Sequence, residues 1–280
     1  MNHQAHQTIT ETKSEKEKAY LYDLYVVPLW REVFDQLVDD EVTLPKTGRI
    51  LDAECGTGGY AVALSEKLGV KVEVVGVDSS DERLELARAK AAVQKLNDVH
   101  FAQGSLQTLK QADADFDLVI GDASMLEPEQ IGTAFTELAR VAKPGATVAL
   151  KLTTRGSFDE FFSIYWEALH DLNLEEITPQ LETLITERLT VTEAEQHARQ
   201  AGLKHVRSVT RKERFDFPDA AAFLSAPLIE TSFLSDWLEI LPDAQTAEDV
   251  RAAVIGIIDR ERQEMDFDVS IKATLIMGQK

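Results

Sequence analysis

The stretch from Arg49 to Tyr60, RILDAECGTGGY, admits few backbone paths. Ile50 and Leu51 form a short apolar run that ends on a carboxylate, Asp52, and then on a glycine-rich turn. Behind the turn Ala61, Val62, Leu64 and Leu68 recur at helical spacing, and Gly69 stands where a helix stops. Strand, tight turn and helix N-terminus follow from that pattern. Glycine tolerates left-handed backbone and lets a ligand come close to the main chain. The helix N-terminus adds free N–H groups and partial positive charge. A nucleotide-like ligand is the chemistry such a turn serves.

Short apolar runs then alternate with helical patterns. Val72 to Val77 is a second strand ending on Asp78. The helix after it is capped by Ser79 or Ser80 and turns Leu84, Leu86, Ala87, Ala91 and Val93 inward. Val99 to Ala102 is a third strand and Asp117 to Gly121 a fourth. Ile131 to Val141 is a helix, Lys143 to Gly145 a turn, and Ala146 to Leu152 a fifth strand. Buried strands alternating with helices predict a parallel sheet in right-handed crossovers. Beyond it, residues 203–217 and 267–277 read as two strands pairing antiparallel at one sheet edge. Residues 156–200 and 218–262 read as helical lid insertions. Upstream, residues 1–18 are a polar, disordered tail, and 19–45 a helical cap that Pro28 kinks or divides. Residues 19–280 make one domain.

Gly56-Thr57-Gly58-Gly59-Tyr60-Ala61 matches G-x-G-x-x-A, and Asp78 follows at about the ~20-residue distance where an acid binds ribose hydroxyls. On this alone an NAD-type oxidoreductase stays open. Asp52 argues otherwise, because a carboxylate before the glycines repels a pyrophosphate and attracts an ammonium or sulfonium. Strand four then leaves as Phe116-Asp-Leu-Val-Ile-Gly-Asp122, and Leu138-Ala-Arg-Val-Ala-Lys-Pro-Gly145 gives a helix, a Pro-Gly turn and an apolar strand.

With these motifs the chain resembles the class I S-adenosylmethionine-dependent methyltransferases over roughly residues 46 to 152, and the two late strands fit that family's terminal hairpin. The resemblance implies an α/β, doubly wound, Rossmann-like sheet of seven strands, mostly parallel with the last antiparallel. It implies S-adenosylmethionine above the C-terminal strand ends. Asp52, Ala53, Glu54, Cys55, Gly56 and Gly58 would face the methionine part of that cofactor. Asp78 would hold the ribose hydroxyls with Ser79 beside it. Gly104, Ser105 and Leu106 would line the adenine, and Gly121 and Asp122 would lie under the methionine and the reacting methyl. Two positions depart from the family pattern: Glu54 stands where glycine is usual, and Ser105 where an acid is frequent. They keep a catalytically silent relative, binding the cofactor or a protein, as the alternative.

Methyl transfer from a sulfonium is an in-line displacement that needs alignment and exclusion of water more than a triad. Asp122 is the candidate acid or base. Tyr22, Tyr25 and Trp30 are candidates to close over cofactor and acceptor, with packing as the competing role. Cys55 is read as a packing residue. Leu152 to Gly156 offers no further ligands for metal-assisted chemistry and the histidines are scattered, so no metal is expected.

The net charge of −20 repels polyanions, so nucleic acid is not the expected partner. No apolar run is long enough for a membrane span. The N-terminus lacks a signal-peptide pattern and there is a single cysteine, so cytoplasmic residence is expected. The acidic insertions favour a neutral or cationic small-molecule acceptor, apolar or aromatic in body. Oligomeric state is left open.

Overall fold

The computed structural model describes residues 13–262 and 267–280. Helix α1 (Glu15–Leu21) runs directly into a π-helix (Tyr22–Arg31) and then α2 (Glu32–Glu41). The first strand, β1 (Gly48–Ala53), leads through the glycine turn to α3 (Gly59–Leu68). Next come β2 (Val72–Asp78), α4 (Asp81–Val93), β3 (Val99–Gln103), β4 (Phe116–Asp122), α5 (Ile131–Val141) and β5 (Ala142–Thr154). Helices α6 (Asp159–Asp171), α7 (Thr178–Glu187) and α8 (Val191–Gln200) precede β6 (Lys204–Phe217). Helices α9 (Ala220–Ser225), α10 (Pro227–Ser232), α11 (Leu234–Glu239) and α12 (Ala244–Arg262) precede β7 (Phe267–Gln279).

The strands form one seven-stranded sheet in the order β3-β2-β1-β4-β5-β7-β6. Pairs β1–β2, β1–β4, β2–β3 and β4–β5 are parallel, and β7 runs antiparallel to both β5 and β6. This is the Rossmann-like architecture expected, with the late hairpin at one edge. The order reverses between β1 and β4, so a crevice opens at the C-terminal ends of those strands. Trp30, Phe34, Phe158, Phe161, Phe223, Phe233 and Trp237 are buried on one face of the sheet, and Trp30 lies 5.2 Å from Phe233, ring centre to ring centre. The N-terminal segment and both helical insertions therefore share one core.

Four sequence expectations are corrected. The disordered tail was drawn to residue 18; residues 1–12 lie outside the described residues, but from Glu15 the chain is helical. There the Ser14 side chain and Glu17 form a reciprocal capping box, which satisfies free N–H groups of the first turn. Pro28 does not divide its run; it sits within the π-helix, which passes directly into α2. Val93 is 81 % exposed, because it closes α4 beyond the reach of the sheet. Residues Lys143 to Gly145 belong to β5 rather than to a separate turn, with Gly145 N–H donating to the Lys280 carbonyl at 2.7 Å.

Candidate active site

The turn after β1 has the left-handed geometry its glycines allow. Gly56 and Gly58 have φ of +59° and +72°, and a Cβ on Gly58 would meet Ala87 at 2.5 Å. Asp78, buried at the end of β2, anchors the turn. Its two carboxylate oxygens accept from Gly56 N–H at 2.8 Å and Ser80 N–H at 2.9 Å. Each oxygen keeps a lone pair, so the carboxylate still offers two acceptors to a diol. Arg83 stands 3.9 Å away and also lies over the Tyr22 ring, 3.9 Å from its centre.

A cavity of about 330 Å³ opens above this point, lined by Tyr22, Trp30, Arg31, Glu54, Asp78, Arg83, Asp122 and Ser124, with Met125, Leu126, Thr231 and Ser232 closing it. Arg31 donates to the Tyr22 hydroxyl at 3.2 Å and stands 3.4 Å from Asp122. The Asp122 carboxylate accepts from Ser124 N–H and from its hydroxyl, at 3.0 and 2.6 Å, and the Trp30 indole donates to the same hydroxyl at 2.8 Å. Burial pushes the Asp122 carboxyl up, but Arg31, Lys151 and Ser124 outweigh it and hold it below the usual range. Such a carboxylate is a poor base at neutral pH. Its geometry makes it an anchor.

Asp52, near the end of β1, does not itself line the cavity. Fully buried, it accepts no hydrogen bond at either oxygen from the described residues. Burial raises its pKa to about 6, against the pull of Lys151 and Arg31. Lys151, also fully buried, pairs with Asp35 of α2, stands 3.9 Å from Asp122 and lies over the Tyr60 ring. The cluster thus holds three carboxylates, Asp35, Asp52 and Asp122, against two cations, Arg31 and Lys151. Arg31 Nη2 and Asp122 Oδ2 are likewise without hydrogen-bond partners. A guanidinium nitrogen and carboxylate oxygens without hydrogen-bond partners of their own match the carboxylate and ammonium of an amino-acid tail. With the diol acceptors of Asp78, the residues present fit S-adenosylmethionine.

Several residues named from the sequence lie elsewhere. Cys55 is buried, its thiol pushed well up by burial, and its N–H donates to the Val77 carbonyl, so it is packing. Gly121 faces Leu138 and Leu150. Ser79 is exposed, and its carbonyl accepts from Gln103. Tyr25 is 46 % exposed on the outer side of the π-helix, whereas Tyr22 and Trp30 line the cavity. Gly104, Ser105 and Leu106 form the rim beyond Asp78, where the Leu106 N–H donates to Glu54 at 3.1 Å. Arg31, Arg83, Ser124 and Lys151 were missed. Lys151 had a signal: an ionisable residue inside an apolar strand must find a buried partner.

Residues 50–145 match the family model described as a methyltransferase domain. The demethylmenaquinone methyltransferase of Shouchella clausii is 31% identical over 116 residues, 41% of this chain and 49% of that protein. That of Lactococcus lactis is 34% identical over 122 residues, 42% and 48% of the two chains. The chain thus spans about half the length of the curated relatives it matches. Among solved structures, the YcgJ protein of Bacillus subtilis covers 89% of this chain, and 98% of itself, with a TM-score of 0.57 at 20% identity. Phosphoethanolamine N-methyltransferase 2 of Haemonchus contortus, in complex with S-adenosyl-L-methionine, covers 95% of this chain and 57% of itself, with a TM-score of 0.55 at 16% identity. The nicotinamide and silent readings are not favoured beside these matches. The sheet order and the matched segment agree: this chain has the class I S-adenosylmethionine-dependent methyltransferase fold, and its residues 50–145 match a methyltransferase domain.

Proposed function

We propose that the chain transfers the methyl group of S-adenosylmethionine to a small-molecule acceptor. The observation that carries this is the pairing of Asp78, with two acceptors to spare, and the unfilled Arg31 and Asp122 atoms across one cavity. The cofactor brings a methyl group already activated on a sulfonium. Asp78 holds the ribose diol, Arg31 the tail carboxylate, and Asp122 with Asp52 the tail ammonium. Tyr22 and Trp30 cover the cavity from the π-helix and exclude water.

The acceptor enters through a second cavity of about 470 Å³, which shares Met125, Leu126 and Ser232 with the first. Both helical insertions supply its walls: Leu184, Glu187 and Arg188 from the first, Phe233, Asp236, Trp237 and Ile240 from the second. Buried Phe233 and Trp237 suit an apolar or aromatic body, and Glu127, Glu187, Asp236 and Glu239 suit a neutral or cationic one. Among the described residues no helix is long and apolar enough to cross a membrane.

Calorimetry with S-adenosylmethionine and S-adenosylhomocysteine should show one site per chain. Labelled methyl from the former should then pass to members of a panel of small amines, phenols and enols, and not to RNA. Absence of binding by both ligands would end the proposal, and efficient labelling of RNA would end its small-molecule part.

A further inference from the structure

The departure at Glu54 has a specific geometry. The residue sits in left-handed backbone, φ +58°, where a side chain is strained. From there its carboxylate crosses the crevice and accepts from the Leu106 N–H at 3.1 Å through Oε1. No described residue donates to Oε2, and Glu54 lines the cavity.

Sheet order fixes what lies at that rim. A sugar held by Asp78 sits at the end of β2, and its tail points across β1 toward β4, where Arg31 and Asp122 wait. The base of the same ligand must then fall on the other side, over the loop after β3, which is 104–106. That loop has few free groups. Gly104 N–H donates to the Asp78 carbonyl, and the Ser105 hydroxyl is tied to Gln107 within its own turn. The acidic side chain facing the base is therefore Glu54, whose carboxyl pKa burial and Asp78 raise to about 7, so that it is a charged acceptor above that pH.

Resting on the cofactor reading above, we infer that Glu54 reads the cofactor's base: hung on the Leu106 amide by one oxygen, its carboxylate takes the base's exocyclic amino group with the other. An amino-bearing purine donates to it, whereas a purine with a keto group in that position presents an acceptor to a carboxylate and is rejected. Ser105, turned back on Gln107, leaves this role to Glu54.

Calorimetry of the full chain with S-adenosylhomocysteine and S-inosylhomocysteine at pH 8.5, where the Glu54 carboxyl is ionised, tests this. A hydrogen bond to a charged group sets the expected preference of the native chain for the adenosyl ligand at about 10- to 100-fold. Glu54→Gln should reduce that preference to about 3-fold or less, since an amide serves either base. Glu54→Gly should weaken adenosyl binding, and Ser105→Asp added to it should restore the preference. Equal binding of both ligands by the native chain would overturn the inference. So would tighter adenosyl binding by Glu54→Gly, which would make the carboxylate a plug on the Leu106 amide. Failure of every protein to bind either ligand would instead sink the cofactor reading, and this inference with it.

Discussion

Asp52→Asn should change the way stability depends on pH. Buried without a hydrogen-bond donor, the Asp52 carboxyl has a pKa raised from 3.8 to about 6. A raised pKa means the fold favours the protonated form. Its stabilisation is present in full below 3.8 and is lost as pH rises through about 6. That span, at about 1.36 kcal/mol per pH unit, is worth about 3 kcal/mol in all. Between pH 5 and pH 7.5 the loss is about 1.4 kcal/mol. Asparagine does not titrate, and any cost of its own unpaired amide is the same at both values. Urea denaturation of the ligand-free chain and of Asp52→Asn at the two pH values isolates the term. The difference between the proteins should move by about 1.4 kcal/mol in favour of the variant at the higher pH. A difference that does not change with pH would refute the reasoning, because Asp52 would then be ionised throughout. The same variant should bind S-adenosylhomocysteine less well at pH 7.5, since a cationic tail is what the ionised carboxylate lacks. A stability difference that moves toward the variant as pH rises, with weaker binding, is the expected signature.

Arg31→Lys keeps the charge but loses the planar fork, so affinity for S-adenosylhomocysteine should fall about tenfold while 5′-methylthioadenosine, which has no amino-acid tail, binds as before; calorimetry with both ligands decides it. Asp78→Ala should abolish measurable binding of either ligand and also lower stability by about 1–3 kcal/mol, because the Gly56 and Ser80 N–H groups lose their acceptor; chemical denaturation measures the second part. Lys151→Met should cost about 3–5 kcal/mol by leaving Asp35 without its cation and Asp122 with Arg31 alone, and Asp35→Asn added to it should recover part of that loss in the same assay.

The part of the candidate site at the ends of β1 and β2 was legible because it is written in contiguous residues. Asp52, the glycine turn and Asp78 each close a strand, and β1 and β2 are neighbours, so two strand ends and one turn define the crevice. The parallel character of the sheet followed from alternation of strand and helix, and the edge hairpin from two long alternating runs. What stayed hidden depends on side chains from distant segments. Ser124 acquires meaning only when Trp30, far away in sequence, donates to it. Asp122 reads as a free acid by position, but Arg31 and Lys151 turn it into a fixed anion. Glu54 reads as an intrusion in a glycine turn until Leu106 is seen to hold it.

Arg31 was missed for a geometric reason that can be tested. Tyr22 and Arg31 are nine residues apart. At 3.6 residues per turn that is two and a half turns of α-helix, which would place them on opposite faces. In a π-helix, with i→i+5 bonding and roughly 4.4 residues per turn, nine residues make about two full turns and return to the same face. The structure has that π-helix, and the Arg31 guanidinium meets the Tyr22 hydroxyl at 3.2 Å. Pro28, within it, has no N–H to give to a regular ladder, so an α-helix through this point would already be short of a bond. Within the same π-helix Tyr25 is 46 % exposed, away from the cavity that it was a candidate to close. Deleting Val27 removes one residue from the widened turns and should return the segment to α-helical register. Arg31, fixed by α2 behind it, would then lose Tyr22, and Tyr22 would swing away from Gly56 and Arg83. Binding of S-adenosylhomocysteine should weaken by about tenfold or more, while α2 and its Asp35–Lys151 pair keep the domain folded. Unchanged affinity, with the fold intact by circular dichroism, would mean that the π-helix packs against the site without shaping it.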